Sequence, residues 1–338
     1  MTNDVEKTEA GLPAPIKAAV ENIPTSLKLR AAKLAFRLLA GSDAATSFVA
    51  QARDRWDTMD GKSYVAGELA KAVAAKAVTD PLILDRATER FLGESVRKQS
   101  NIESITRLAI EDLRNEPESS DESIIEVDNN WVNKFSRFAE DVSSNEAQLL
   151  WGRVLSGEIK SPGSFSLRTL RFLSELDKNV ADTFIEVTKH SLYGNCIFAP
   201  AELWNSGEPL RKLKLLVEAG LLSEIAGSTN RPAKRDENGN LFIWQERSAF
   251  VARCHANLDI NIPICQFTTV GEEIFKLLQP NDEAYILENI YIHFEETINS
   301  CSNLAFIGSV TTTGETMTVN LAKLLWSNVN DPTPSTTP

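Results

Sequence analysis

Trp151-Gly152-Arg153-Val154-Leu155-Ser156-Gly157-Glu158-Ile159-Lys160-Ser161-Pro162-Gly163-Ser164-Phe165-Ser166, running directly into Leu167-Arg168-Thr169-Leu170-Arg171-Phe172-Leu173, decides how this chain is built. It reads as helix, tight polar turn, helix. Ser161-Pro162-Gly163 stops the first helix, and Ser166 can cap the next, over Leu167 to Leu176. Upstream, Ser143-x-x-Glu146 is a capping box opening the helix that carries Leu149, Leu150, Val154 and Leu155. Before it, Trp131, Phe135 and Phe138 fall at helical spacing, an aromatic stripe that reads as core rather than ligand site. Downstream, Asp177 can cap a helix from Lys178 to His190. Short loops between amphipathic helices predict an antiparallel helical packet over residues 129–190.

Toward the N-terminus, residues 1–24 are polar and punctuated by Pro13, Pro15 and Pro24, which predicts a flexible lead with one short helix between the prolines. A helical region follows over 25–113. Thr25 or Ser26 can cap a helix from Leu27 to Ala40, where Leu27, Leu34, Phe36 and Leu38 alternate with Lys28, Arg30, Lys33 and Arg37. An ordinary helix with its apolar stripe in the core is the favoured reading. The alternative is a basic amphipathic helix that touches membrane or a partner through Lys28, Arg30, Lys33, Phe36 and Arg37. Helical patterns continue over 43–59, over Tyr64 to Val78, over Leu82 to Leu92 and over Val96 to Leu113. Ile102, Ile105, Ala109 and Leu113 share one face of the last. Gly61-Lys62-Ser63 resembles the end of a phosphate-binding loop, but Trp56 stands where that loop needs a glycine, so nucleotide binding is rejected there. Residues 114–128 are dense in carboxylates, from Glu116 to Asp128, and read as a solvated acidic linker and a domain boundary.

After residue 190 the hydrophobic period changes. Cys196-Ile197-Phe198, Leu221 to Ile225, Leu241-Phe242-Ile243-Trp244 and Ile260-Asn261-Ile262 suit short strands. Leu210 to Ala219 reads as a helix ended by Gly220, and Thr269-x-x-Glu272 is a capping box opening a helix to Leu278. Residues 281–338 are expected to be a C-terminal helix and a flexible tail. The fold class expected is mainly α: a helical N-terminal region and helical packet, then a small α+β module over 191–280.

Two resemblances attach to these residues. The tryptophan-to-serine stretch, with the surrounding span from about Asn129 to Phe184 and echoes at Gln99-Ser100-Asn101-Ile102-Glu103 and down to about Glu295, resembles a bacterial family catalogued as domain of unknown function 2806. That resemblance implies a bacterial chain and a context among genes that act against phage, and it carries no catalytic residues. The second covers about Asp177 to Leu278. Leu210-x-x-Leu213-x-x-Leu216-Val217-Glu218-Ala219-Gly220-Leu221-Leu222, a hairpin, and Phe267-Thr268-Thr269-Val270-Gly271-Glu272-Glu273-Ile274-Phe275 resemble the winged-helix pattern of bacterial regulators. It implies a reading helix with Arg211, Lys212 and Lys214, and a wing with Arg231, Lys234 and Arg235. The wing is long for a simple hairpin, and Asp236 follows its last arginine directly.

Lys and Arg number 35 against 47 Asp and Glu, a net charge of −12, so any contact with nucleic acid or anionic lipid must come from such a local patch. Cys196, Cys254, Cys265 and Cys301 are dispersed and read as reduced thiols of a cytoplasmic protein. The sequence has no secretory signal pattern and no apolar run long enough for a spanning helix. Its three histidines are His190, His255 and His293, isolated from any nucleophile except in Cys254-His255; with Cys265 that pair still lacks a convincing fourth zinc ligand. Gly-x-Ser-x-Gly, His-Glu-x-x-His and Gly-x-Gly-x-x-Gly are missing. The expectation is therefore a non-catalytic interaction or assembly protein, without cofactor or metal, that binds a second copy or a protein partner. Nucleic-acid binding through the six basic residues and peripheral membrane contact are the alternatives.

Overall fold

The computed structural model describes residues 12–40, 81–117, 126–225, 229–236, 238–254, 259–278, 282–313 and 316–327. The helical patterns at 43–59 and 64–78, the Gly61-Lys62-Ser63 turn, the middle of the acidic stretch, most of the lead, the tail from 328 and His255 lie outside the described residues. Two units form, Met1–Ser174 and Glu175–Pro338. The acidic stretch 114–128 therefore runs inside the first unit, and the helix after Asp177, grouped above with the helical packet, belongs to the second.

The first unit contains α1 (Ala14–Val20), α2 (Thr25–Ala40), α3 (Pro81–Asp112), α4 (Asn129–Ala139), α5 (Asn145–Lys160) and α6 (Leu167–Ser174). The starts of α4, α5 and α6 follow the capping chemistry. The Asp128 side chain accepts from the Trp131 amide and Ser166 Oγ from the Thr169 amide. For α5 the cap is Ser144, which accepts from the Ala147 amide, one residue later than the Ser143 capping box predicts. Packing centres on the aromatic stripe. Trp131 stacks on Phe135 with ring centroids 5.0 Å apart, and Phe135 meets Trp151 edge-on at 5.3 Å. Such pairs contribute about 1 kcal/mol each beyond the area they bury. Gly152 lets α5 lie close on α3, because a Cβ there would stand 3.0 Å from Leu108 Cβ. One correction concerns α3. Two helices were expected around Gly93-Glu94-Ser95, but a single helix of 32 residues, about 48 Å long, runs through them.

The second unit corrects the fold class. The protein is α+β, with two antiparallel sheets among the described residues, one of four strands and one of five. Its elements are α7 (Lys178–Val187), β1 (Ser191–Leu192), β2 (Cys196–Phe198), α8 (Ala201–Trp204), α9 (Gly207–Glu218), β3 (Thr229–Pro232), β4 (Lys234–Arg235), β5 (Leu241–Trp244), β6 (Ser248–Cys254), β7 (Asn261–Gln266), α10 (Thr269–Phe275), α11 (Glu283–His293), α12 (Glu295–Cys301), β8 (Ser302–Thr313) and β9 (Thr316–Ser327). The first sheet runs β1-β2-β7-β3 and the second β4-β5-β6-β8-β9. Most of the discrepancy lies in β8 and β9. Residues 302–327 were assigned to a helix and tail, yet they are dense in Thr, Val and Leu around a Gly314-Glu315 turn sequence, a composition that favours a hairpin. Leu221 to Ile225, expected as a strand, contributes a single bridge from Leu222 to Phe267. A common core joins both sheets to α11 and α12 through Phe198, Ile243, Phe250, Ile264, Ile290, Ile298 and Ile307.

Candidate functional site

The signature turn is built around one carboxylate. Glu158 is 1% exposed, and its two oxygens accept from the Gly163 amide at 2.6 Å and the Phe165 amide at 3.1 Å. Trp131 Nε1 donates to the Phe165 carbonyl at 2.7 Å, fixing the same turn from α4. Gly157 is required beneath it, since a Cβ there would stand 2.7 Å from the Phe165 ring. A cavity of about 350 Å³ opens beside this turn, lined by Glu126, Asp128, Trp131, Glu158 and Phe165 among others. Its three carboxylates already have work: Asp128 caps α4, Glu158 holds the turn, and Glu126 takes Lys33 at 2.8 Å and Arg37 at 3.6 Å. The hydrogen bond from Lys33, reinforced by the charges of Lys33 and Arg37, holds the Glu126 carboxyl below its ordinary range.

Three of the cations offered for membrane or partner contact, Arg30, Lys33 and Arg37, have their partners around this turn. Arg30 Nη1 donates to the carbonyls of Ile159 at 2.6 Å and Lys160 at 3.1 Å, a cation on the C-terminal carbonyls of α5. Lys33 and Arg37 hold Glu126, while Lys28 and Phe36 are half-buried. The apolar stripe of α2 faces inward, with Ala31, Leu34, Ala35 and Leu38 buried. Among the described residues no helix is long and apolar enough to cross a membrane.

The six cations of the second unit fall into two groups. On α9, Arg211 pairs with Glu208, Lys212 donates to Glu186 of α7 at 2.6 Å, and Lys214 is exposed. On β3 and β4, Arg231 lies 4.9 Å over the Tyr193 ring and donates to Asn195 Oδ1, and Lys234 lies 4.6 Å over the Trp244 ring. Arg235 donates to the Gly239 carbonyl and stands 3.9 Å from Asp259. Tyr193 and Trp244 meet edge-on at 6.0 Å, so Arg231, Tyr193, Trp244 and Lys234 form one row with two rings between two cations. Tyr193 is also the only non-glycine residue with positive φ among the described residues, at 56°, in the turn it shares with Gly194 at 70°. Gln245 secures that turn by accepting from the Tyr193 amide and donating to the Ser191 carbonyl. Burial pushes the Tyr193 hydroxyl up to about 12, against the opposing charge of Arg231. Sequence reading found the cations of this row and missed its aromatics; the usable signal was a Tyr-Gly turn between two short strand patterns.

A third feature is apolar. The side of α3 that buries Ile102, Ile105, Ala109 and Ile110 in the bundle is polar over Ser95, Lys98 and Gln99 and turns apolar again toward its N-terminus at Phe91 and Leu92, with Val96 at its margin. There these side chains are 55%, 57% and 69% exposed.

Of the groups weighed for catalysis, His255 lies outside the described residues, and Cys196 and Cys265 are neighbours across β2 and β7. Cys196 and Cys265 are buried, which raises their thiols to about 11 and about 12, and Cys265 donates to the Glu224 carbonyl. His190 lies edge-on to Trp204 at 5.2 Å, and burial lowers its pKa. His293 packs between Phe198 and Phe294. Among the described residues no three His, Cys, Asp or Glu side chains gather so as to hold a metal ion. Residues 85–196 match the model of a family described as a protein of unknown function, DUF2806. The matched span takes in the exposed part of α3, the Glu158 turn and the Tyr193 turn. No curated protein and no solved structure matches the chain.

Proposed function

We propose that this protein is a non-catalytic interaction protein that docks through the N-terminal half of α3. The exposure of Phe91, Leu92 and Val96 on a face that is core elsewhere along the same helix carries this reading. An exposed apolar pair on the side of a helix that is core further along is the form in which a helix meets another amphipathic helix, from a second copy or from a protein partner. Burying Phe91 and Leu92 contributes about 1.5–3 kcal/mol each, enough to centre a docking surface. Light scattering across a dilution series tests it. The wild-type chain is expected to assemble, and Phe91→Glu with Leu92→Glu to remain a folded monomer. A wild-type chain that is strictly monomeric and binds no protein partner defeats the proposal.

A second reading, nucleic-acid binding, is favoured by connectivity. Helix α7, strand β2, helices α8 and α9, and strands β3 and β7 follow in the order of a winged helix, with β7 between β2 and β3. The wing is replaced by β4, β5 and β6, which the β8–β9 hairpin extends into the second sheet. Because Arg211, Lys212 and Arg235 have acidic partners, the cations left for phosphate are Lys214, Arg231 and Lys234. Three contacts give a slope of log affinity against log salt of about −3, and six would give about −5. Titration of a duplex and a single strand at several salt concentrations decides between these values. No binding at low salt removes the reading.

A further inference from the structure

All four described cysteines are free, and two of them, Cys254 and Cys301, stand near one another at one corner of the second unit. Cys254 ends β6, and the pairing with β8 sets its Cα opposite that of Ser302. Cys301, the residue before Ser302, ends α12. A residue flanking a directly opposed partner stands about 6 Å away, Cα to Cα, within the range a disulfide bridges. In an unbroken ladder the two side chains would leave opposite faces of the sheet. Here Cys301 is helical and the register slips between Arg253 and Cys254, so alternation does not separate them. Both side chains pack against the same apolar cluster, and both are partly exposed. Cys196 and Cys265 give the contrast. They stand in the same diagonal relation across β2 and β7, but in a regular ladder and fully buried.

We propose that Cys254 and Cys301 are a redox-active thiol pair that closes to an intramolecular disulfide by exchange with a small disulfide such as oxidised glutathione. The Cys301 thiolate attacks one sulfur of the external disulfide, forming a mixed disulfide and releasing one glutathione thiolate. Cys254, once deprotonated, attacks the Cys301 sulfur and displaces the second glutathione. Two protein thiols and one oxidised glutathione become one protein disulfide and two reduced glutathione molecules. Cys254 is the resolving partner because burial raises its pKa, against the Leu241 amide and the charge of Arg235. The bridge ties the end of β6 to the α12–β8 junction. Trp326, whose indole donates to the Ser302 carbonyl at 3.2 Å, sits beside it as a fluorescent reporter. None of this depends on the docking role of α3.

The test exposes the full chain to oxidised glutathione, blocks remaining thiols and maps peptides without reduction. A Cys254–Cys301 linked peptide should dominate in the wild type and in Cys196→Ser and Cys265→Ser. It should be lost in Cys254→Ser and Cys301→Ser, where the remaining cysteine carries glutathione. Tryptophan emission should fall on oxidation and recover with dithiothreitol in the wild type, and stay constant when Cys254→Ser and Cys301→Ser are combined. Glutathione adducts at Cys254 or Cys301 without the linked peptide, a link that involves Cys196 or Cys265, or thiols that stay fully alkylatable after oxidation would overturn the proposal.

Discussion

Replacing Glu158 by Gln tests whether one buried carboxylate organises the signature turn. The wild-type side chain accepts the Gly163 and Phe165 amides with different oxygens and is almost wholly buried. Glutamine fits the space but offers one oxygen, so its amide nitrogen must face one of the two backbone donors. A hydrogen bond to a charged group contributes about 1.5–3 kcal/mol, and a buried donor left unpaired costs about 1–3 kcal/mol. Allowing for relaxation, the loss should be about 2–3 kcal/mol, and Glu158→Ala should lose more because both amides are orphaned. Urea unfolding followed through the indole NMR signals of Trp131 and Trp151 reads the stability of the first unit, since both lie in its core. Hydrogen exchange at the Gly163 and Phe165 amides should accelerate in Glu158→Gln while amides in the second unit hold their rates. A variant within about 0.5 kcal/mol of wild type, with both amides still protected, refutes the claim that this carboxylate holds the turn.

Gly271→Ala should be among the most damaging small changes, because its Cβ would stand 2.2 Å from the Leu221 carbonyl oxygen, a backbone atom. A loss of about 3 kcal/mol or more is expected in thermal unfolding of the second unit; a neutral result denies that close approach. His190 gives a pH signature. Burial lowers its folded pKa, so its contribution is present above the unfolded imidazole value and is lost as pH falls through the folded one. Stability measured between neutral and mildly acidic pH should therefore fall more steeply in the wild type than in His190→Gln, and parallel curves count against it.

The first unit was the more legible half. Its helices are short-range objects: Ser166 caps where the local pattern says it should, and of the Trp131, Phe135 and Phe138 stripe the first two are buried and the third half-buried, while Asp128, read as the end of a linker, caps α4. The errors come from features that depend on distant partners. Gly93 inside α3 reads as a break locally, but the bundle contacts further along the helix outweigh a propensity cost of about 1 kcal/mol. Strand β6 is recognisable only through the partners it finds in β5 and in β8, far along the chain, from Ser248 opposite Ser309 to Cys254 opposite Ser302. The same limit applies to the candidate sites. The six cations of the second unit were visible as charges, but the acidic partners of Lys212 and Arg235 lie on α7 and at Asp259, and the rings beneath Arg231 and Lys234 come from a turn and from β5. The exposed stretch of α3 was invisible because Phe91 and Leu92 fit the same helical pattern as residues that are buried.

A photo-crosslinking amino acid placed at Leu92, with Glu146 on α5 as the exposed control position, addresses the docking of α3 most directly. Crosslinks from position 92 to a second copy or to a protein partner, suppressed when Phe91 is also changed to Glu, are the expected result. Equal or no crosslinking from the two positions would contradict it.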